Sequence, residues 1–356
     1  MIKKVFIFLI SIILLSGCSL KQTQEEISFA SWGSVTEVRV LKQIINDFES
    51  ENPDIKVKFM HTPQNYFQKL HLLFASNSAP DVIFINNLYL PLYASQLENL
   101  TGYIDKNEFY PQSIAGLSYN NKLMAVPRDI SNLIFYVNKD IVQNGKFSSL
   151  EELLKTTQIA SKNNVFGISF EEDTYWALPY LAYYNESFDK DFNTSKSKGL
   201  EFYKDLRDKY KVAPTKAQVG SSTLAQMFLD KKVAIYLSGR WMYPKISEKA
   251  DFDWEVVPFP LGNGYLPCDS SGWAISKNSR HKESAIKFIQ YLSSEKSSEY
   301  FLQTGLIVPA RIKTSQNLNK DFHNEKVFLE VITNSKATKT TKNYKKLLDK
   351  FNTSLR

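Results

Sequence analysis

Ile27-Ser28-Phe29-Ala30-Ser31-Trp32, Ile55-Lys56-Val57-Lys58-Phe59 and Val82-Ile83-Phe84-Ile85 are three short apolar runs, each separated from the next by a helical pattern. Between the first two, Val35, Val38, Leu41, Ile45 and Phe48 recur at three- and four-residue spacing, which puts them on one face of a helix. Asn52-Pro53-Asp54 breaks that helix. Ile55, Val57 and Phe59 then alternate with lysines, as on a strand with one wet face. Phe67, Leu70 and Phe74 form a second stripe, and Pro80 precedes a run expected to be buried on both faces. Strand, helix, strand, helix, strand within this span predicts an α/β lobe with a largely parallel sheet.

The alternation then repeats. Ser148 with Glu151 reads as a capping box opening the helix of Leu150, Leu153 and Leu154. Phe166–Phe170 reads as a strand, Leu200, Tyr203, Leu206 and Tyr210 as a helical stripe, and Val233–Leu237 as a buried strand. Asp253–Phe259 reads as another strand, and Ala285, Phe288, Ile289 and Leu292 as a later helix. Two α/β lobes are expected, within the range that a chain of 356 residues allows.

The N-terminus has a different logic. Lys3 and Lys4 precede the apolar run Val5–Leu15, which ends in Ser16-Gly17-Cys18. Eleven residues are too few to span a bilayer, which takes roughly 20. A basic start, a short apolar run and small residues before a cleavage point describe a secretory signal. With cysteine next, Leu15-Ser16-Gly17-Cys18 resembles the bacterial lipoprotein signal, which implies lipidation of Cys18 and removal of residues 1–17. Residues 18–26 are then a polar tether, and the mature chain is expected outside the cytoplasm, anchored to a membrane by lipid. Losing the two lysines lowers the formal charge from +7 to +5. The lysine-rich C-terminal stretch has no interleaved aromatics, so nucleic acid is not expected as a partner. Cys268 is the other cysteine, so no intramolecular disulfide is available beside a lipidated Cys18.

Segments spread along the chain resemble the extracellular solute-binding proteins of the maltose-binding type, which deliver sugars to ABC importers. They are Phe29-Ala30-Ser31-Trp32, Asp47-Phe48-Glu49 through Pro53-Asp54-Ile55-Lys56-Val57, and Ala79-Pro80-Asp81-Val82-Ile83. Leu123-Met124-Ala125-Val126-Pro127-Arg128-Asp129 follows, running into Tyr136-Val137-Asn138-Lys139-Asp140. Ser238-Gly239-Arg240-Trp241, Ser271-Gly272-Trp273-Ala274-Ile275-Ser276 and Gly305-Leu306-Ile307-Val308-Pro309-Ala310-Arg311 complete the set. The resemblance implies a two-lobe periplasmic-binding-protein-like fold of type II, with three hinge crossings and a ligand held in the cleft by closure. Transferred here, the crossings fall near Ile134–Asn138, near Gly272–Ser276 and shortly after Arg311. Lobe one is then 27–134 with 275–312, and lobe two 135–274 with 313–356. The segment after Arg311 is shorter than family members usually have. The implied partners are a small sugar or polyol and a membrane permease, with the chain a monomer.

Sugars offer hydroxyl edges and apolar faces, so a site needs flat rings and planar polar groups. Trp32 ends the first strand, with Gly33 and Ser34 next to it, and ligands sit at such strand ends in open α/β sheets. Asn65 and Tyr66 open a helix, and Asn86 and Asn87 follow the buried third run. Arg128 and Asp129 read either as a structural ion pair or, through the resemblance, as cleft residues continued by Ser131 and Asn132. Asp173, Tyr175 and Trp176 match an aromatic cluster of the family's second lobe, and Trp241 its Gly-x-Trp motif; the alternative for both indoles is a helix anchor. Ser270, Ser271, Gly272 and Trp273 occupy the second crossing, and Arg311 a position where the family often places a polar contact. Arg128 and Arg240 leave room for an acidic or phosphorylated ligand.

Catalytic patterns are scarce. His61, His71, His281 and His323 have no metal-ligand spacing, and no nucleophile elbow, phosphate loop or dinucleotide fingerprint is present. No metal or cofactor is expected. Asp129 with Glu171, Glu172 and Asp173 is the one carboxylate set from which a glycosidase pair could come, which leaves a lipid-anchored carbohydrate-active enzyme, or the same fold used for sensing or adhesion, as the alternatives. Cys268 beside Pro267 reads as a buried small side chain.

Overall fold

The computed structural model describes residues 24–188, 192–318, 323–338 and 343–354. Cys18, the segment 1–17 and most of the expected tether lie outside the described residues. The first strand, β1 (Glu25–Ser31), begins within the segment expected to be tether. It pairs in parallel with β2 (Ile55–His61) from Glu25↔Ile55 to Ser31↔His61, and with β3 (Val82–Asn86) at Phe29↔Val82. Helix α1 (Val35–Glu51) crosses between β1 and β2, with Leu41, Ile44, Ile45 and Phe48 buried. Helix α2 (Tyr66–Ala75) crosses between β2 and β3. The lysines of β2 are exposed while Ile55 and Val57 are buried, and Val82–Ile85 is buried throughout, as the runs predicted.

Most of the remaining pairings in this sheet are antiparallel. A hairpin of β4 (Ser118–Tyr119) and β5 (Lys122–Leu123) leads into β6 (Val126–Ser131). Strand β11 (Leu266–Ile275) lies antiparallel between β3 and β6, and β12 (Val308–Pro309) lies antiparallel on the far side of β6. The order is β12-β6-β11-β3-β1-β2, with β13 (Ser335–Ala337) beside the first residues of β11. The expectation of a largely parallel sheet fails because β11 arrives from the other half of the chain and so runs the opposite way.

The second sheet has the order β10-β7-β9-β8, built from β7 (Ile134–Asn138), β8 (Phe166–Ser169), β9 (Val233–Ser238) and β10 (Trp254–Val257). Helices α3 (Leu150–Ala160), α4 (Thr174–Tyr183) and α5 (Lys198–Asp208) belong to this half. The cap of α3 is Ser149, whose side chain accepts from the Glu152 N–H, one residue on from the expected box. Glu152 instead reaches Ser148, accepting from its N–H and hydroxyl. Leu150 is wholly buried at the first helical position, and that burial sets the register.

Each sheet has its own core. Phe29 meets Trp273 and Phe288 edge-on at 5.4 and 5.3 Å in the first. Phe135 stacks on Phe259 at 5.2 Å in the second, with Tyr180 edge-on to Phe259 at 4.9 Å. Helix α6 (Lys282–Leu292) covers the first sheet, α7 (His323–Thr333) packs on β10, and α8 (Tyr344–Ser354) packs on α4. Gly272 and Ser276, at the expected second crossing, lie within the first sheet's bonding. Gly272 pairs with Ile85, and the Ser276 N–H donates to the Asp81 carbonyl. The change of partners in β11 comes earlier, because Leu266–Cys268 pair with β13 and Asp269 onward with β6.

Candidate functional site at the facing strand ends

Strand register brings the candidate residues to one place. Ser131 at the end of β6 pairs with Asp269 of β11, and Ser271 pairs with Asn86 at the end of β3. Two residues, Asn132 and Leu133, separate β6 from β7, whose first residue pairs with Ser238 at the end of β9. The three steps from Ser131 to Ile134 span about 11 Å at most. The ends of β1, β3 and β6 must therefore face the ends of β8 and β9. An interaction closes that gap: the Tyr175 hydroxyl, at the start of α4, is coupled electrostatically to both Ser131 and Asp269.

The second sheet contributes rings to this edge. Asp173 caps α4, accepting from the Tyr175 N–H at 3.0 Å, which fixes how Tyr175 and Trp176 leave the helix. Trp176 Nε1 donates to the Leu237 carbonyl at 3.2 Å, and its ring stands edge-on to Tyr175 at 5.1 Å. Trp241 lies 6.3 Å from Tyr175, centroid to centroid. Its ring lies over Gly239, where a Cβ would fall 2.0 to 2.5 Å from three of its atoms. Only glycine there admits the ring. Both indoles are half-buried, each packed on its sheet and partly open.

From the first sheet comes Trp32, 45% exposed and edge-on to Phe84 at 5.8 Å. Gly33 after it has φ +148, a conformation that other residues rarely adopt, and turns the chain into α1. Ser34 caps that helix in a box with Glu37. Glu37 also lies 3.3 Å from Arg128 Nη1. Arg128 donates from Nε and Nη2 to Asp129 at 3.0 and 2.5 Å, and lies over Phe84, Trp273 and Phe301 at 5.0 to 5.6 Å. The other oxygen of Asp129 accepts from the N–H and hydroxyl of Ser271. Arg128 and Asp129 are thus a buried pair that joins the first turn of α1 to β6 and β11.

Other candidates have different surroundings. Tyr66 is buried and its hydroxyl lies 3.1 and 2.9 Å from the carbonyls of Ala30 and Phe84, tying β1 to β3. Asn65 is exposed, left-handed at φ 53, and makes no side-chain cap. Asn86 accepts from the Tyr89 N–H at 3.1 Å. Trp273 has no exposed surface and belongs to the first core, while Gly272 packs against the Val126 backbone. Arg240 is buried, 4.7 Å over both Tyr243 and Phe328 and 2.5 Å from Glu325, so it faces the interior of its own half. Arg311 donates to the Ser293 carbonyl at 3.0 and 2.8 Å, pairs with Glu108 at 2.8 Å and covers Phe109. Trp273, Arg240 and Arg311 are thereby placed with structural partners rather than with the tryptophans of the facing edge.

The sequence reading missed Asp269. It is buried, accepts from Asn87 Nδ2 at 3.2 Å, and interacts electrostatically with Thr338 and Tyr175 as well. Asn87 returns its own oxygen to the Ser270 N–H at 3.0 Å and donates to the Thr338 carbonyl at 3.1 Å. Burial pushes the Asp269 carboxyl up to about 6, against the lowering effect of its hydrogen bonds; nearby Asp129 adds to the rise. An acid within the otherwise uncharged run Leu266–Ile275 was the available signal. Cys268 beside it is buried, and burial raises its thiol to about 12, which suits an inert side chain. A cavity of about 590 Å3, lined in part by Asn87, Gln112, Gly116, Tyr119 and Thr338, adjoins this network; none of the tryptophans lines it.

Among the solved structures, the ABC substrate-binding protein Lmo0181 of Listeria monocytogenes, in complex with cycloalternan, superposes with a TM-score of 0.82 at 21% identity, covering 93% of this chain and 92% of that one. Maltose-bound MalE3 of T. maritima gives 0.78 at 21% identity, over 93% of each chain. The maltodextrin-binding protein MdxE of Bacillus subtilis (strain 168) is 26% identical over 301 residues, 76% of this chain and 70% of that protein. The fold is the two-lobe, type II periplasmic-binding-protein-like architecture with three hinge crossings. The family model described as bacterial extracellular solute-binding protein matches residues 43–328, and the chain belongs to that family.

Proposed function

We propose that this chain is the capture component of an ABC importer, a monomer that takes a neutral sugar or related polyol between its lobes by closing. The observation that carries this reading is the Tyr175–Trp176–Trp241 cluster, held at the strand ends that face Trp32 and Ser131. Half-buried rings on fixed backbone suit the apolar faces of a sugar, and Asn86, Ser131 and Asp173 stand at the same edge for its hydroxyls. The sugar-binding names of its relatives point the same way. Neutrality follows from the guanidinium groups. Arg128 is spent on Asp129 and Glu37, and Arg240 on Glu325, so neither is left to face an acidic ligand.

The lobes are divided where β6 passes into β7, where β11 changes partners near Asp269, and beyond Ser315. A ligand touching both lobes favours the closed population, since only that state makes both sets of contacts. Cys18 would carry the lipid that keeps the protein beside its permease; two or more acyl chains are needed for a lasting hold. The function is carriage, without chemistry on the ligand. Calorimetry against maltotriose, a cyclic glucan, a hexitol and a glucuronide tests this. Binding of a neutral member with no product formed is the expected result; binding of the glucuronide alone, or turnover, would overturn it.

A further inference from the structure

The end of the larger sheet away from the facing strand ends carries a second feature. There β3 begins at Val82, paired with Ile275 where β11 finishes, and β1 begins at Glu25. A cavity of about 520 Å3 opens at this end, lined chiefly by Asn77, Ser95, Gln96, Lys277, Asn278 and Arg280. Its walls are fixed: Asn278 Nδ2 donates to Asn77 Oδ1 at 2.9 Å, and the Lys277 N–H to the Gln96 carbonyl at 2.8 Å. The carboxylates around it are already engaged. Asp81 accepts from the Ser28 N–H and from the Ser28 and Ser279 hydroxyls at 2.6 to 2.8 Å. Glu98 pairs with Lys282 at 2.6 Å, and Glu25 with His281 at 2.6 Å. Among the described residues, Lys277 and Arg280 pair with none of these carboxylates, and both are exposed.

Two uncompensated cations in a polar cavity, with amide and hydroxyl donors around them, fit a tetrahedral oxyanion. Arginine offers a fork matched to phosphate, and lysine a movable point charge. We propose that this cavity binds a phosphate group. The chain's own route suggests whose phosphate it is. His281, next to Arg280, touches Glu25, and Glu25 stands seven residues after Cys18. Seven extended residues reach about 25 Å at most. A lipid on Cys18 would hold this end of the molecule at the bilayer surface, where phosphate is carried by lipid headgroups. That assignment of source rests on the anchor proposed above; the phosphate site itself does not.

The full-length chain, purified in neutral detergent, is titrated by calorimetry with inorganic phosphate and with glycerophosphoglycerol, a headgroup freed of its acyl chains. The same titrations are run on Lys277→Gln and Arg280→Gln, which alter exposed side chains only. At least one probe is expected to bind, at least tenfold more weakly in each variant, while sugar affinity stays as in the parent. Preference for glycerophosphoglycerol assigns the site to lipid, and preference for inorganic phosphate to a free anion. No binding of either probe, or equal binding by the variants, would overturn the proposal whatever the sugar titrations give.

Discussion

The hydroxyl of Tyr175 and the carboxyl of Asp269 interact electrostatically at the point where the two halves of the chain meet. Tyr175 belongs to a helix of the second half, whereas Asp269 is paired to β6 of the first. The interaction therefore spans the joint, with Asn87 holding Asp269 from the other side. Opening the lobes must break it or carry one strand along.

Removing that hydroxyl loosens the joint. Tyr175→Phe deletes the hydroxyl that interacts with Ser131 and Asp269 and keeps the ring; a polar interaction of this kind is worth about 1 kcal/mol net at most. The empty variant is expected to be more open than the parent by small-angle scattering, its radius of gyration approaching the parent's once saturated with sugar. An unchanged empty radius would count against a contact across the joint.

Asp269 also makes stability depend on pH. Its carboxyl titrates near 6 when folded and lower when unfolded, so between about 4 and 6 the folded chain keeps a proton that the unfolded chain has lost. Stability from this group is fully present below the unfolded value and is lost as pH rises through 6. Two units correspond to roughly 3 kcal/mol. Asp81 and Glu25, held below their ordinary range by hydrogen bonds, act the opposite way at lower pH. Denaturant midpoints for Asp269→Asn should lose the decline between pH 4 and 6 that the parent shows; a parallel profile would refute the assignment.

Trp241→Ala is expected to weaken sugar binding by about 30-fold, or about 2 kcal/mol, as central aromatic contacts do. Because the ring is half-buried, the melting temperature of the empty protein should fall by only a few degrees. Gly239→Ala should reproduce the loss of affinity, since its methyl would take the ring's space. Full affinity in both would remove Trp241 from the site.

Glu325 offers the contrast. It is the carboxylate paired with the buried Arg240. Glu325→Ala leaves that guanidinium uncompensated among Tyr243 and Phe328, a change that costs about 3–5 kcal/mol in buried pairs. Urea midpoints should drop sharply while sugar affinity, measured well below unfolding, holds. A variant as stable as the parent but poor at binding would return Arg240 to the cleft.

Much of the molecule was readable along the chain because its signals are local. Lys56 and Lys58 alternating with Ile55 and Val57 define a strand with one wet face, and the spacing from Val35 to Phe48 defines a helix. The reading of Arg128 and Asp129 as a possible ion pair was legible for the same reason, since the two are adjacent. Arg240 was not. Its neighbour Trp241 reaches the edge while it turns inward to a glutamate more than eighty residues further on. Trp273 was misplaced likewise: it stands next to Gly272, but strand alternation sends the indole into the core.

Periodicity, punctuation by proline and glycine, and the order of short segments are properties of neighbouring residues, so the sequence alone determined two α/β halves, their strands and their helices. Which side chains share the joint was decided only by tertiary structure. Asp269 acquires its raised proton affinity from the exclusion of water and from nearby Asp129, against the lowering effect of its polar partners, and these surroundings come together through strand register and a two-residue crossing. Burial and pairing over such separations depend on the whole fold, and nothing beside Asp269 in the chain encodes them.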